Sequence, residues 1–350
     1  MKNAKKLFML LFIMVLAGII AAGCGNMEEE SDGENDGDEA EGSEDSGNEE
    51  SESAGDGDYP ERTIEVYVGH GAGGGTDIFA RQVAGQLEDE LGTNFNVINR
   101  EGAGGTIAKE EAANQPADGY TLVAISSFPV STALGTNPAG LDVLTPIARF
   151  QADTFGLMAD PEKFEDIDAF IEEAEDNPGE LTIGGVSTGS IDEITTQRFV
   201  QESGLDVSYV PFDGSGDAVA ALLSGNVDAV FEEIGPTLDY MDSGDLHPLV
   251  FFTEERLEDF SDVPTSVEQG WEMTEGVERG FAIHTDTPQE IIDQLEEAMK
   301  NVYDSEEYKE HEEAQYLHYR EGWLNSEDYR DKLEQDIELY REAAENLESN

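Results

Sequence analysis

Positive charge is what this chain lacks most. It has 18 Lys and Arg against 80 Asp and Glu in 350 residues, a formal charge of −62 at pH 7. Surface affinity for DNA or RNA comes from Lys and Arg neutralising phosphates, so the composition excludes nucleic acid as a partner. It also disfavours docking on anionic lipid through a basic patch. The single cysteine, Cys24, excludes an intramolecular disulfide and any Cys-rich zinc site. The longest apolar run, Leu7 to Ile20, is too short to span a bilayer comfortably and has no charged stop beyond it. No G-x-S-x-G elbow or H-E-x-x-H pair occurs, and no G-K-[ST] follows a glycine loop. These absences point away from an enzyme, and no cofactor or metal is implied. Apolar material is present in quantity: 38% of residues are hydrophobic, and 350 residues suffice for two cores.

The N-terminus supplies an address. Lys2, Lys5 and Lys6 precede the apolar run, and Ala21, Ala22 and Gly23 lead into Cys24. Residues 1–23 resemble a bacterial lipoprotein signal, with cleavage before Cys24 and acylation of its thiol. Residues 24–58 follow as an acidic tether, with 16 acids and no base between Gly25 and Asp58, a composition that repels itself and stays solvated. From Tyr59 onward the chain still holds 64 acids against 15 bases, so most of the charge belongs to the folded part. Such a body repels itself at low ionic strength, whereas at molar salt the Debye length falls to roughly 3 Å. The expectation is a halophilic protein outside the cell, lipid-anchored to the outer face of the cell membrane.

Beyond Tyr59, strand-like and helix-like segments alternate. Thr63–Gly69 is β-rich, and Ala80, Val83, Ala84, Leu87 and Leu91 lie on one helical face. Short strands are expected at 95–99, 121–125, 181–185, 207–210, 227–231, 248–253 and 280–284, with an extended stretch at 147–159. Helices are expected at 76–91, 107–114, 164–176, 190–203 and 216–224, and three close the chain at 289–302, 305–313 and 326–347. This alternation predicts an α/β protein whose sheets are mainly parallel and flanked by helices. About 290 residues exceed one comfortable core, so two lobes are expected: 59–154 plus 280–350, and 155–279, with a ligand cleft between them.

Three glycine-rich loops each join a strand to a helix: Gly69 to Asp77, Gly184 to Ser190, and Phe212 to Gly216. Glycine lets the backbone approach a ligand, and a helix start offers unpaired N–H groups at the positive end of its dipole. Such loops lie at the carboxyl ends of strands, where open α/β sheets bind ligands. Together they describe a cleft for a small anion, most simply a carboxylate. His70 stands in the first loop and is open to either a ligand contact or a solvent-facing role. Trp271 and Trp323 are read as packing residues.

An ordered set of motifs resembles a known family. It comprises Tyr59-Pro60, Gly73-Gly-Gly-Thr-Asp77, Asn99-Arg100-Glu-Gly102-Ala-Gly-Gly105 and Asp118-Gly-Tyr-Thr-Leu122. It continues through Val210-Pro-Phe-Asp-Gly214, Gly225-Asn-Val-Asp228, Asp262-Val-Pro-Thr265, Glu268-Gln-Gly270 and Thr287-Pro288. The family is the tripartite tricarboxylate transporter substrate-binding proteins, or Bug receptors, and the resemblance covers roughly residues 59–345. It implies a two-lobed periplasmic-binding-protein fold, acting as a monomer. It also implies capture of a di- or tricarboxylate or related acid, and delivery to a membrane permease of one large and one small subunit. The matching ligand contacts are Gly73, Gly74, Thr76 and Asp77, then Ser126 and Ser127, then Thr188, Gly189 and Ser190, with Gly214 and Ser215 opposite. The chain departs from the family pattern at Gly69 to Ala72, at Glu193 where a His is frequent, and at Asp213 where a basic or polar residue is frequent. Two of these departures add negative charge near the cleft. A ligand-presenting sensory lipoprotein of the same fold and a secreted enzyme stay open as other readings.

Overall fold

The computed structural model describes residues 59–274 and 276–348, the last six as backbone only; the signal, Cys24 and the tether lie outside the described residues. In chain order the elements begin with β1 (Ile64–Val68), α1 (Gly75–Leu91), β2 (Phe95–Asn99), α2 (Thr106–Ala113), β3 (Thr121–Ile125), α3 (Phe128–Ala133) and β4 (Leu144–Ala152). The chain then runs through β5 (Phe155–Ala159), α4 (Ile167–Asp176), β6 (Thr182–Val186), α5 (Ile191–Ser203), β7 (Ser208–Phe212), α6 (Ser215–Leu223), β8 (Ala229–Glu233), α7 (Ile234–Ser243) and β9 (His247–Phe251). It closes with β10 (Glu278–His284), α8 (Gln289–Tyr303), α9 (Glu306–Ala314) and α10 (Ser326–Glu348).

The strands form two five-stranded sheets, ordered β2-β1-β3-β10-β4 and β7-β6-β8-β5-β9. Each sheet is mixed. β10 runs antiparallel to β3 and β4, and β5 runs antiparallel to β8 and β9. The reason is topological: both are the strands by which the chain enters a sheet straight from the other one. With no helix to turn it round, such a strand enters from the cleft side and opposes its neighbours, whereas the helix-linked pairs β1–β2, β1–β3, β6–β7 and β6–β8 stay parallel.

The first core forms around Phe150 on β4. Its ring meets Phe79 of α1, Phe281 of β10, Tyr303, Tyr308 and Trp323 at centroid distances of 5.4 to 6.0 Å. α1 presents Phe79, Ala80, Val83, Ala84 and Leu87 to this core and ends at Gly92, whose φ of 66° lets its N–H close on Glu88. The second core gathers Phe170, Phe199, Phe231, Phe252 and Trp271, with Phe199 edge-on to Trp271 at 5.1 Å. Val130 of α3 and Tyr340 of α10 also join this second core. The C-terminal helix therefore spans both lobes, since its Tyr329, Leu333 and Ile337 pack with β3 and β10.

The two crossovers touch. Asp153 donates its N–H to the carbonyl of Val277 at 2.7 Å, and a Cβ on Gly276 would stand 1.8 Å from the Asp153 carbonyl oxygen. Only glycine fits there.

An interlobe cleft with buried charge

The loops that follow β1, β3, β6, β7 and β8 surround a cavity of about 510 Å³. The first loop is built by close approach: a Cβ on Gly69 would lie 2.4 Å from the Gly105 Cα, so only glycine lets these two backbones meet. Gly73, at φ 82°, then turns the chain into α1. Asp77 fixes the turn by accepting the Gly73 N–H at 2.9 Å, together with Arg81 Nε at 3.0 Å and Asn99 Nδ2 at 2.9 Å. Burial works against its charge, but these donors hold its carboxyl below the ordinary value. α1 therefore starts at Gly74 without a side-chain cap, and α6 starts at Gly214 in the same way. No side chain of their own takes their first-turn N–H groups, although Asp217 gives its N–H to the Gly214 carbonyl at 3.1 Å, and the helix starts remain open to a ligand. α5 differs, because Ser190 Oγ accepts the Glu193 N–H at 3.3 Å and caps it.

Of the sequence-derived site residues, Gly73, Gly74, Thr76, Ser126, Ser127, Ser190, Gly214 and Ser215 line this cavity, together with His70 and Asp213. Asp77, Thr188 and Gly189 do not, each for a local reason. The Asp77 carboxylate is spent inside its own loop. Gly189 gives its N–H to Glu193 Oε2 at 2.6 Å, which also accounts for Glu193 as a loop-fixing residue, and Thr188 is exposed at the turn. Ser126 and Ser127 also border a second cavity of about 270 Å³, reaching Arg320 and Lys332 near α10.

Sequence reading missed the buried charges. Arg279 of β10 lines the cavity and pairs with Glu233 at 2.6 Å and with Asp153 in direct contact, all three nearly inaccessible to solvent. Burial acts most strongly and would raise Glu233, yet the Arg279 charge together with hydrogen bonds from Glu232, Arg279 and the backbone holds the carboxyl low. Beside it, burial and the Glu233 charge push Glu232 well up; its carboxylate accepts from Ser215 Oγ. Burial also raises Asp192 to about 7, although it accepts the Val186 N–H at 2.7 Å. His70 is driven down to about 4, first by burial and then by Lys109 and Arg279, so its ring is neutral. A signal did exist: the strands expected at 227–231 and 280–284 stop one residue short of Glu232 and Arg279, charges that continue apolar strands.

The sequence profile of the tripartite tricarboxylate transporter family receptor matches residues 79–336. The chain belongs to that family. Among relatives, this receptor is 35% identical over 219 residues to BugT of Bordetella pertussis, covering 61% of this chain and 67% of the other. A solved periplasmic transporter superposes with a TM-score of 0.76 at 26% identity, covering 82% of the receptor and 97% of that chain. MatC from Rhodopseudomonas palustris, solved with bound malate, shares the fold at a TM-score of 0.73 and 24% identity, covering 81% and 99%. The receptor is thus an extracytoplasmic solute-binding protein with the two-lobed α/β fold. Among its described residues no helix is long and apolar enough to cross a membrane.

Proposed function

We propose that the receptor captures a small carboxylate between its lobes, 59–154 plus 280–350 and 155–279, and delivers it to a tripartite permease of one large and one small subunit. The observation that carries this reading is the convergence of the uncapped starts of α1 and α6 on one cavity lined by Thr76, Ser126, Ser127, Ser190 and Ser215. Backbone amides and hydroxyls hold an anion without a free cation, which suits a body this acidic. Malate bound by MatC, a protein of the same fold, fits this ligand class. Gly73, Gly74 and Thr76 take the acid end, and Gly214 and Ser215 close from the other lobe. The protein works as a monomer, tethered through an acylated Cys24, and releases its ligand chemically unchanged.

Calorimetry in molar salt against di- and tricarboxylates and monocarboxylic acids tests the reading. Binding is expected, with a loss of more than tenfold in Gly73→Asp and in Ser190→Asp. No response to any acid, or affinity unchanged in both variants, overturns it. Recovery of an altered ligand after hours of incubation overturns the non-enzymatic part.

A further inference from the structure

The two walls of the cleft differ in the ionisable groups buried behind them: an amine on one side, carboxyls on the other. Beneath the first loop, His70 Nδ1 and Thr106 Oγ1 are buried without a hydrogen-bond partner. His70 lines the cavity and packs against Gly105, where α2 begins. Near the start of α2, Lys109 is 4% exposed. Its Nζ donates to Ser131 Oγ at 2.8 Å and lies 5.7 Å from the Phe128 ring, and among the described residues no carboxylate pairs with it. Burying an unpaired cation is costly, and in a folded part with 64 acids a carboxylate partner would have been easy to supply. Burial draws the Lys109 ammonium down to about 7, so the first lobe keeps an amine that a nearby anion would hold charged, and two hydrogen-bonding atoms without partners, behind its amide cradle.

The second lobe is the reverse. Asp192 and Glu232 line the cavity while 7% and 4% exposed. Acidification of a surface for life in brine does not account for them, because carboxylates out of solvent gain nothing from hydration. Arg279 does not answer them either, since it is held by Asp153 and Glu233.

Resting on the carboxylate reading, we infer that the ligand is a zwitterion. Its carboxylate lies on the first-lobe amides, backed by Lys109, and its ammonium lies against Asp192 and Glu232 of the second lobe. Asp192 and Glu232 have neutral donors, Val186 N–H and Ser215 Oγ, but no cation of their own, so an ammonium there draws off their protons and supplies the charge they lack as the ligand bridges the lobes.

Matched pairs that differ only by a 2-amino group decide the matter: succinate and aspartate, glutarate and glutamate, 3-phenylpropionate and phenylalanine. Each is titrated calorimetrically into the full-length protein in molar salt. For every pair that binds, the amino member is expected to be at least tenfold tighter, and Glu232→Gln or Asp192→Asn is expected to cut that ratio by tenfold. Equal or tighter binding of the amine-free member by the unaltered protein overturns the zwitterion while the carboxylate reading stands. A ratio unchanged in both variants overturns the assignment of Asp192 and Glu232. Silence from every pair overturns both readings. The wild-type comparison needs no variant to fold.

Discussion

Arg279 donates Nη2 to Glu233 Oε1 at 2.6 Å, joining the strand that enters the first sheet to the last residue of β8 in the second. The pair is out of solvent and lines the cleft floor, so each group depends on the other for its charge. Arg279→Met strands Glu233 and Asp153 together. It is expected to destabilise the fold by about 3–5 kcal/mol, the usual cost of removing one partner of a buried pair. Urea unfolding in molar salt measures it.

Gly75 stands where α1 begins, and a Cβ there would lie 2.4 Å from Arg279 Nη2. Gly75→Ala is therefore expected to displace the guanidinium from Glu233, costing about 1–3 kcal/mol through overpacking. Ligand affinity should fall more than tenfold, because the first turn of α1 shifts with it. Gly85→Ala on the same helix meets nothing within 4 Å and serves as the control: it should leave ligand affinity unchanged and gain about 0.5–1 kcal/mol from helix propensity.

The raised carboxyl of Asp192 sets a pH dependence. Its folded value of about 7 exceeds its ordinary value of 3.8, so the native state holds a proton that the unfolded chain gives up. The associated stability is full below about pH 4 and is lost as pH rises through about 7. The loss is about 2–4 kcal/mol at this size of shift. Unfolding free energies of the ligand-free protein should fall between pH 5 and pH 8 in molar salt, and Asp192→Asn should flatten that slope.

Salt should act in the opposite sense to its usual effect on ion pairs. With 64 acids and 15 bases beyond Tyr59, repulsion dominates and screening relieves it. The melting temperature is expected to climb from low to molar sodium chloride. A flat profile would remove the case for a halophilic setting.

Local chemistry was legible in the sequence and tertiary pairing was not. Helical spacing at Ala80, Val83, Ala84 and Leu87 located α1, and Gly73, Gly214 and Ser190 marked helix starts that do face the cleft. α3 and α7 passed unread. α3 is six residues long with Pro129 in its first turn, too short for a period to show. Asp77, Thr188 and Gly189 fall outside the cavity lining because loop residues that shape a site and residues that touch a ligand have the same composition. Arg279, Glu232 and Lys109 could not be placed, because their meaning lies in partners that the fold supplies, or withholds, from distant parts of the chain.

The contact between Gly276 and Asp153 governs how the molecule can move. Two backbones pressed this close, with Arg320 clamping the Asp153 carbonyl at 3.0 Å, resist sliding past one another and are expected to twist as one. Opening is then expected as a swing about this contact, and one distance across the mouth, followed with and without ligand, checks it.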